Sequence, residues 1–444
     1  MTFAVLHKPA APVVSLAALT DEAVPQNAKA DAVHSLSRHS RRGLDGLIFF
    51  VADIQTGFGP FVAVFLTTQK WTQVDIGLVL TVSGLVSLFG QVPLGALVDS
   101  VRSVRATAFF SLVAIGISAF AFAAWPIFPV VLASRMLHAA ASCTLGLSLV
   151  SISLGLIGSN GMSERLGRNA AFASAGTAIA AGIMGACGYY FSNSAVFFLA
   201  GMLVLPAIFS LSRIRAEEIG PVVDAAHDSG SSRAPIAGIR EIFRNRALVV
   251  FALCVLLFHL ANAAMLPLAA SSLALHSHQY ATLIIAAAIV VPQFTVTLLS
   301  PWIGRVAHRW GRRLPLLLGF GALALRGILF AATSDPHLLV AIQILDGLSA
   351  AALSVLVPLT IVDLTRKHGH FNLAQGAVGC GMGIGAAIST TLAGLVSDRF
   401  GNHAAFDILA ACAVIGFLAV ALAMPETRPL PEAAALLEEQ IQQV

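Results

Sequence analysis

The decapeptide GRVAHRWGRR, Gly304–Arg313, sets four arginines and a histidine between the apolar runs PQFTVTLLSPWI and LPLLLGFGALAL. Its opening, GRVAH, has a counterpart 209 residues earlier in GALVD, Gly95–Asp99, which also closes an apolar run. The same offset relates FSNSAVF at Phe191 to FGNHAAF at Phe400. RMLHA at Arg135 matches QILDG at Gln343 at 208, and NAAFASAG at Asn169 matches NLAQGAVG at Asn372 at 203. Matches in chain order at nearly one spacing describe a duplicated unit.

The composition says what kind of unit it is. The chain has 444 residues, is 57% hydrophobic and 11% charged, and has a mean hydropathy of +0.85; soluble domains carry about 25% charged residues. Apolar strings of roughly 20 residues, the length of a helix that crosses a bilayer, recur along it, unlike the short alternating segments of outer-membrane barrels. The fold class expected is an all-α membrane protein, with twelve transmembrane helices in two pseudo-symmetric six-helix halves. Spans are expected near 44–67, 74–98, 105–124, 127–157, 168–189 and 194–212, then 247–270, 280–303, 314–333, 337–363, 372–396 and 404–424. The domains are then a tail at 1–43, a bundle at 44–212, a polar linker at 213–246, a bundle at 247–424 and a tail at 425–444.

Charge orients the chain. Tails, linker and even-to-odd loops hold 22 of the 26 Lys and Arg; the opposite loops hold only Lys70 and Arg399, and Arg135 and Arg326 fall within spans. The positive-inside rule therefore places both termini in the cytoplasm of a multi-pass cell-membrane protein. The net charge of +4 follows from this loop bias, so no nucleic-acid partner is expected. The partners expected are the bilayer, a small-molecule substrate and protons, with the chain a monomer.

Other chemistry finds no pattern. The five cysteines lie in apolar stretches without CxxC spacing and read as buried thiols. His276 with His278, and His368 with His370, lack a third ligand nearby, so no metal is expected. No Walker loop, nucleophile elbow or HExxH occurs, so neither an ATP-driven pump nor an enzyme is expected, and no cofactor.

The charged turns carry a resemblance. GxxxDRxGRR, once per half, is similar to the loop pattern of the major facilitator superfamily, and the resemblance covers about residues 44–424. Gly304, Arg309, Gly311, Arg312 and Arg313 match, with His308 in the acidic position; the first copy keeps Gly95 and Asp99 but continues only as far as Arg102 and Arg105. The resemblance implies rocking of two halves around a midplane site. It also implies that Asp99, Arg102, Arg309, Arg312 and Arg313 latch the halves on the cytoplasmic side; a purely topological role stays open. Span 4 resembles the RxxxG element, with Ala139 in the glycine place. Span 5 has Gly176, Gly182, Gly185 and Gly188 but lacks the GPxxGG of drug/proton antiporters, which counts against efflux by proton antiport.

Ionisable groups inside spans are costly and nominate function. Asp53 in span 1 and Arg135 and His138 in span 4 fall at similar depths, counting about 1.5 Å per residue, so an Asp53 contact to Arg135 or His138 is expected as a proton-coupling or substrate site. Arg326 and Asp346 fall at matching depths in spans 9 and 10 and are expected to form a structural ion pair. Gln55, Gln91, Asn262, Gln293 and Gln375 are neutral polar candidates, Asn262 standing 209 residues after Asp53. TGFGP, Thr56–Pro60, breaks span 1, either as a kink or as an ion-binding helix end. The function expected is secondary active transport of a small organic solute, proton-coupled. Drug or metabolite efflux and a non-transporting sensor or assembly factor stand as alternatives.

Overall fold

The computed structural model describes residues 37–58, 61–220, 242, 244–269, 281–333, 335–366 and 370–428. The expectations for residues 1–36, for most of the linker, for the tail beyond residue 428, and for Gly59, Pro60, His276, His278 and His368 lie outside the described residues.

Helix α1 (Arg38–Gly57) and α2 (Phe61–Thr68) share the first crossing, interrupted at Phe58. Then follow α3 (Gln73–Ser100), α4 (Val104–Ala124), α5 (Phe128–Tyr190), and the pair α6 (Asn193–Met202) and α7 (Val204–Ser212). The second half comprises α8 (Arg246–Asn262), α9 (Ala281–Trp310), α10 (Arg313–Ala332), α11 (Pro336–Thr365), α12 (Phe371–Phe400) and α13 (Asn402–Ala423). Eleven stretches among the described residues are long and apolar enough to cross a membrane, and no strand occurs among them.

Local chemistry sets the ends. The side chains of Thr72, Ser103, Ser192, Asn245 and Asp335 accept backbone N–H groups at the starts of α3, α4, α6, α8 and α11, as N-caps do. Spans 4 and 5 are one helical run broken only at Gly158, where φ is +72°, a conformation open chiefly to glycine. Several helices overrun their expected ends: α3 reaches Ser100, α11 Thr365 and α12 Phe400, and α9 runs furthest past its own, to Trp310. Most of the Gly304–Arg313 stretch is therefore helix rather than loop, and the chain turns only at Gly311, with φ +95°.

The halves meet near one end of the bundle, the face that carries Ser37, the Gly158 break and the Gly311 turn. There, four glycines take the backbone of the other half: Gly95 faces the carbonyl of Asn372, Gly376 that of Gln91, Gly304 that of Ser163 and Gly167 that of Ser300. A methyl group at any of the four would collide with that oxygen, so only small residues let the helices come this close. Gly95 and Gly304, Asn372 and Ser163, Gly376 and Gly167, and Gln91 and Ser300 are each 209 residues apart. The α3–α12 and α9–α5 crossings are thus copies of one contact. This corrects the 203-residue match, because the counterpart of Asn372 is Ser163, not Asn169.

Candidate functional site

Beyond these crossings the halves separate around a cavity of about 680 Å³. Its wall takes Gln55 from α1, Ser87 and Gln91 from α3, Ser142 and Cys143 from α5, His259 and Asn262 from α8, Ser354 from α11 and Gln375 from α12. Gln91 lies over Gly379 of α12 at the end nearer the crossings. The wall contains no Asp, Glu, Lys or Arg. Its amides are partly engaged: Gln55 Nε2 donates to Ser142 Oγ at 2.9 Å, whereas Gln375 Oε1 has no hydrogen-bond partner. His259 Nδ1 lies 2.9 Å from the Val255 carbonyl; a carbonyl only accepts, so Nδ1 carries the proton and Nε2 is left free.

The sequence-nominated residues divide. Gln55, Gln91, Asn262 and Gln375 line the cavity; Gln293, half-buried on α9, is not part of its wall. Asp53, Arg135 and His138 stand behind the wall. Asp53 is 5% exposed and packs where α1 crosses the second span of α5; a methyl group on Gly176 would sit 2.9 Å from its Oδ1. That oxygen has no hydrogen-bond partner. The expected Asp53 contact to Arg135 or His138 is not made. Instead Phe58, at the break in the first crossing, stacks on His138 with ring centroids 3.8 Å apart, and Arg135 lies over the same ring at 5.5 Å. Arg135 Nε and Nη1 and His138 Nδ1 are likewise buried without a partner. Depth counting placed the groups at one level but gave no rotation about the helix axes.

In the second half the expected pair forms. Arg326 Nη1 donates to Asp346 Oδ1 at 2.8 Å and also to Asn262 Oδ1, while its guanidinium lies over Phe330. Arg326 thus joins α8, α10 and α11.

The gate residues also divide. Asp99 works across the halves: its carboxylate accepts Asn372 N, Leu373 N and Asn372 Nδ2 at 2.8–3.0 Å, capping the start of α12. Ser151 Oγ donates to Asn372 Oδ1. Gly95 and Gly304 allow the close approach described above. Arg312 and Arg313 bind within their own half. The buried Arg312 donates from Nε to Asp363 at 2.8 Å and from Nη1 to the Ala307 carbonyl, and Arg313 reaches the Ala421 carbonyl. Their partners sit on their own half, and His308 offers no carboxylate to the other. Arg309 and Arg102 are exposed, and Gly311 makes the turn. Glu426, past the end of α13, accepts backbone N–H groups of Arg312, Arg313, Thr427 and Arg428. Burial works to raise its pKa, and these donors together hold it below the usual carboxylate range.

One charged cluster went unnominated. Asp45 binds Arg165 at 2.8 Å and Arg168 at 2.6 Å, and Arg165 continues to Asn169 and Ser153. Two arginines three residues apart at the foot of span 5, facing an acid in the first turns of span 1, were the signal available.

A helical membrane protein with two pseudo-symmetric bundles around a polar central cavity belongs to the class of secondary transporters. The family model of the Major Facilitator Superfamily matches residues 45–291 and 251–443, and the chain belongs to that superfamily of transporters. Two Mycobacterium tuberculosis proteins, from strains CDC 1551 / Oshkosh and ATCC 25618 / H37Rv, are each described as an uncharacterized MFS-type transporter. Each is 36% identical over 392 residues, 87% of this chain and 93% of the relative. Among solved structures, a variant of the E. coli fucose:proton symporter FucP superposes with a TM-score of 0.67 at 16% identity, over 87% of this chain and 98% of that one. FucP in the outward conformation gives 0.65 at 17% identity, over the same shares.

Proposed function

We propose that the chain moves a small organic solute across the cell membrane by alternating access, with its termini in the cytoplasm and Asp53 carrying a coupling proton. The observation that carries this reading is Asp53 itself, a buried carboxylate with an unpartnered oxygen, two residues from Gln55 in the cavity wall. An ionised carboxylate held in such a place is costly, so its charge follows whether water and a counter-charge reach it. Rocking of the halves changes that access, and this is the coupling. The contacts between halves lie on the basic face, which on the positive-inside rule is cytoplasmic, so the conformation described is closed to the cytoplasm and the cavity faces outward. The likeness to a structure titled as a proton symporter supports the coupling, and one titled as outward supports the state.

Proteoliposome uptake of a solute panel, with and without an inward proton gradient, tests the proposal. Gradient-driven accumulation of at least one solute is expected, with Asp53→Asn retaining exchange but losing accumulation. Accumulation that ignores the gradient, with Asp53→Asn fully active, would sink it.

A further inference from the structure

We infer that the cavity selects an uncharged, hydrogen-bonding solute, and that Arg326 with Asp346 acts as a positioning pair that turns the Asn262 amide so that its N–H₂ donates into the cavity. This rests on the reading of the cavity as the transport site.

The argument starts from where charge is and is not. The wall has no acid or base other than His259 and Cys143, and His259 has its Nδ1 proton committed to the Val255 carbonyl. An ionic solute entering would lose part of its hydration and find no counter-charge, which disfavours it strongly. A neutral solute with hydroxyl or amide groups instead finds Gln55, Gln91, Gln375, Asn262, Ser87 and Ser354, groups able both to donate and to accept.

An asparagine normally has no fixed sense, because its oxygen and nitrogen ends are interchangeable in shape. Asn262 is different. Arg326 can only donate, and it donates to Asn262 Oδ1 from behind the wall while Asp346 balances its charge. With the oxygen held, the Nδ2 donors are the part of Asn262 left for the cavity that it lines. On α12, Gln375 lines the same cavity, and its amide is able to accept as well as donate. The site thus presents a fixed donor on α8 and a neutral amide on α12, groups that a hydroxyl or a carboxamide satisfies and a lone ion does not.

Cys143, in the same wall, reports on this without knowledge of the solute. In full-length protein with the other four cysteines replaced by alanine, in proteoliposomes, its modification rate is measured with three methanethiosulfonates: neutral hydroxyethyl, cationic trimethylammonioethyl and anionic sulfonatoethyl. Each rate is divided by that of free cysteine. Both charged reagents are expected to lag the neutral one by about tenfold or more. A charged reagent that matches or exceeds the neutral one overturns the solute class. Asn262→Asp keeps an oxygen for Arg326 but replaces the donor by a negative oxygen; the cation-to-anion rate ratio is then expected to rise about tenfold. A ratio unchanged from the parent shows that position 262 serves Arg326 alone and overturns the donor assignment. The transport reading fails separately: the charged reagents, which do not cross a bilayer, would then reach Cys143 from only one face at every pH.

Discussion

Arg326 is 1% exposed and holds three helices through one guanidinium. Removing one member of a buried ion pair leaves the other charge uncompensated, at a cost of about 3–5 kcal/mol, whereas replacing both by apolar residues is often neutral. Arg326→Met and Asp346→Leu are therefore each expected to lower the detergent-solubilised melting temperature sharply. The double variant should recover most of the loss, which differential scanning fluorimetry reads directly. Asp53 and Arg135 are the contrast. They are similarly deep in the sequence, yet Phe58 occupies the face of Arg135 and His138. Spacing could nominate both sets of charges, but only packing decides which become pairs. Arg326–Asp346 was legible because a short turn forces α10 and α11 side by side; the Asp53 contact was not, because depth along a helix leaves its rotation unspecified, and Asp53 faces Gly176 instead.

Helices carry the closure of the basic face. Asp99 gives α12 an N-cap from the opposite half, and loss of a capping acid costs about 1 kcal/mol. Asp99→Ala should thus raise the ratio of open to closed basic face by about fivefold, seen as faster labelling of a cysteine placed at Gln91 by a reagent on that face. Glu426 ties the Gly311 turn to the end of α13. Its folded pKa is depressed, so its contribution is complete above the ordinary glutamate pKa, about 4.3, and is lost as pH falls through the lower folded value. Glu426→Gln should flatten the acid limb of a stability-versus-pH curve in this range: the variant is expected to be less stable at neutral pH, where the carboxylate contributes in full, and to converge with the parent below the folded pKa. The elements themselves were legible from apolar runs and from Gly and Pro punctuation. The overrun of α3, α9, α11 and α12 was not, because the polar residues that end an apolar run also serve as the last turns of a helix that leaves the bilayer. The 203-residue match misled for a related reason: two small-residue helices resemble each other at several registers, and only the crossing glycines fix the right one.

At the scale of the whole molecule, four glycine contacts related by a single offset make a hinge-like base, and the cavity lies beyond it. Closure on one side and separation on the other are one geometry, which the rocking proposed above would exchange. Neutralising Asp53 is expected to release this exchange. Arg102 and Arg366 are exposed, one on each half near the basic face, and Ser192 and Asp335 are exposed on the two halves at the opposite end. The most direct test is pulsed electron–electron double resonance between spin labels at these two pairs in lipid nanodiscs, with Asp53 intact and as Asp53→Asn. The expected result is that Asp53→Asn lengthens the 102–366 distance in a growing fraction of molecules and shortens 192–335 in the same fraction, as lowering the pH does for the parent. Distributions at both pairs that stay unchanged by the substitution and by pH would contradict coupling through Asp53.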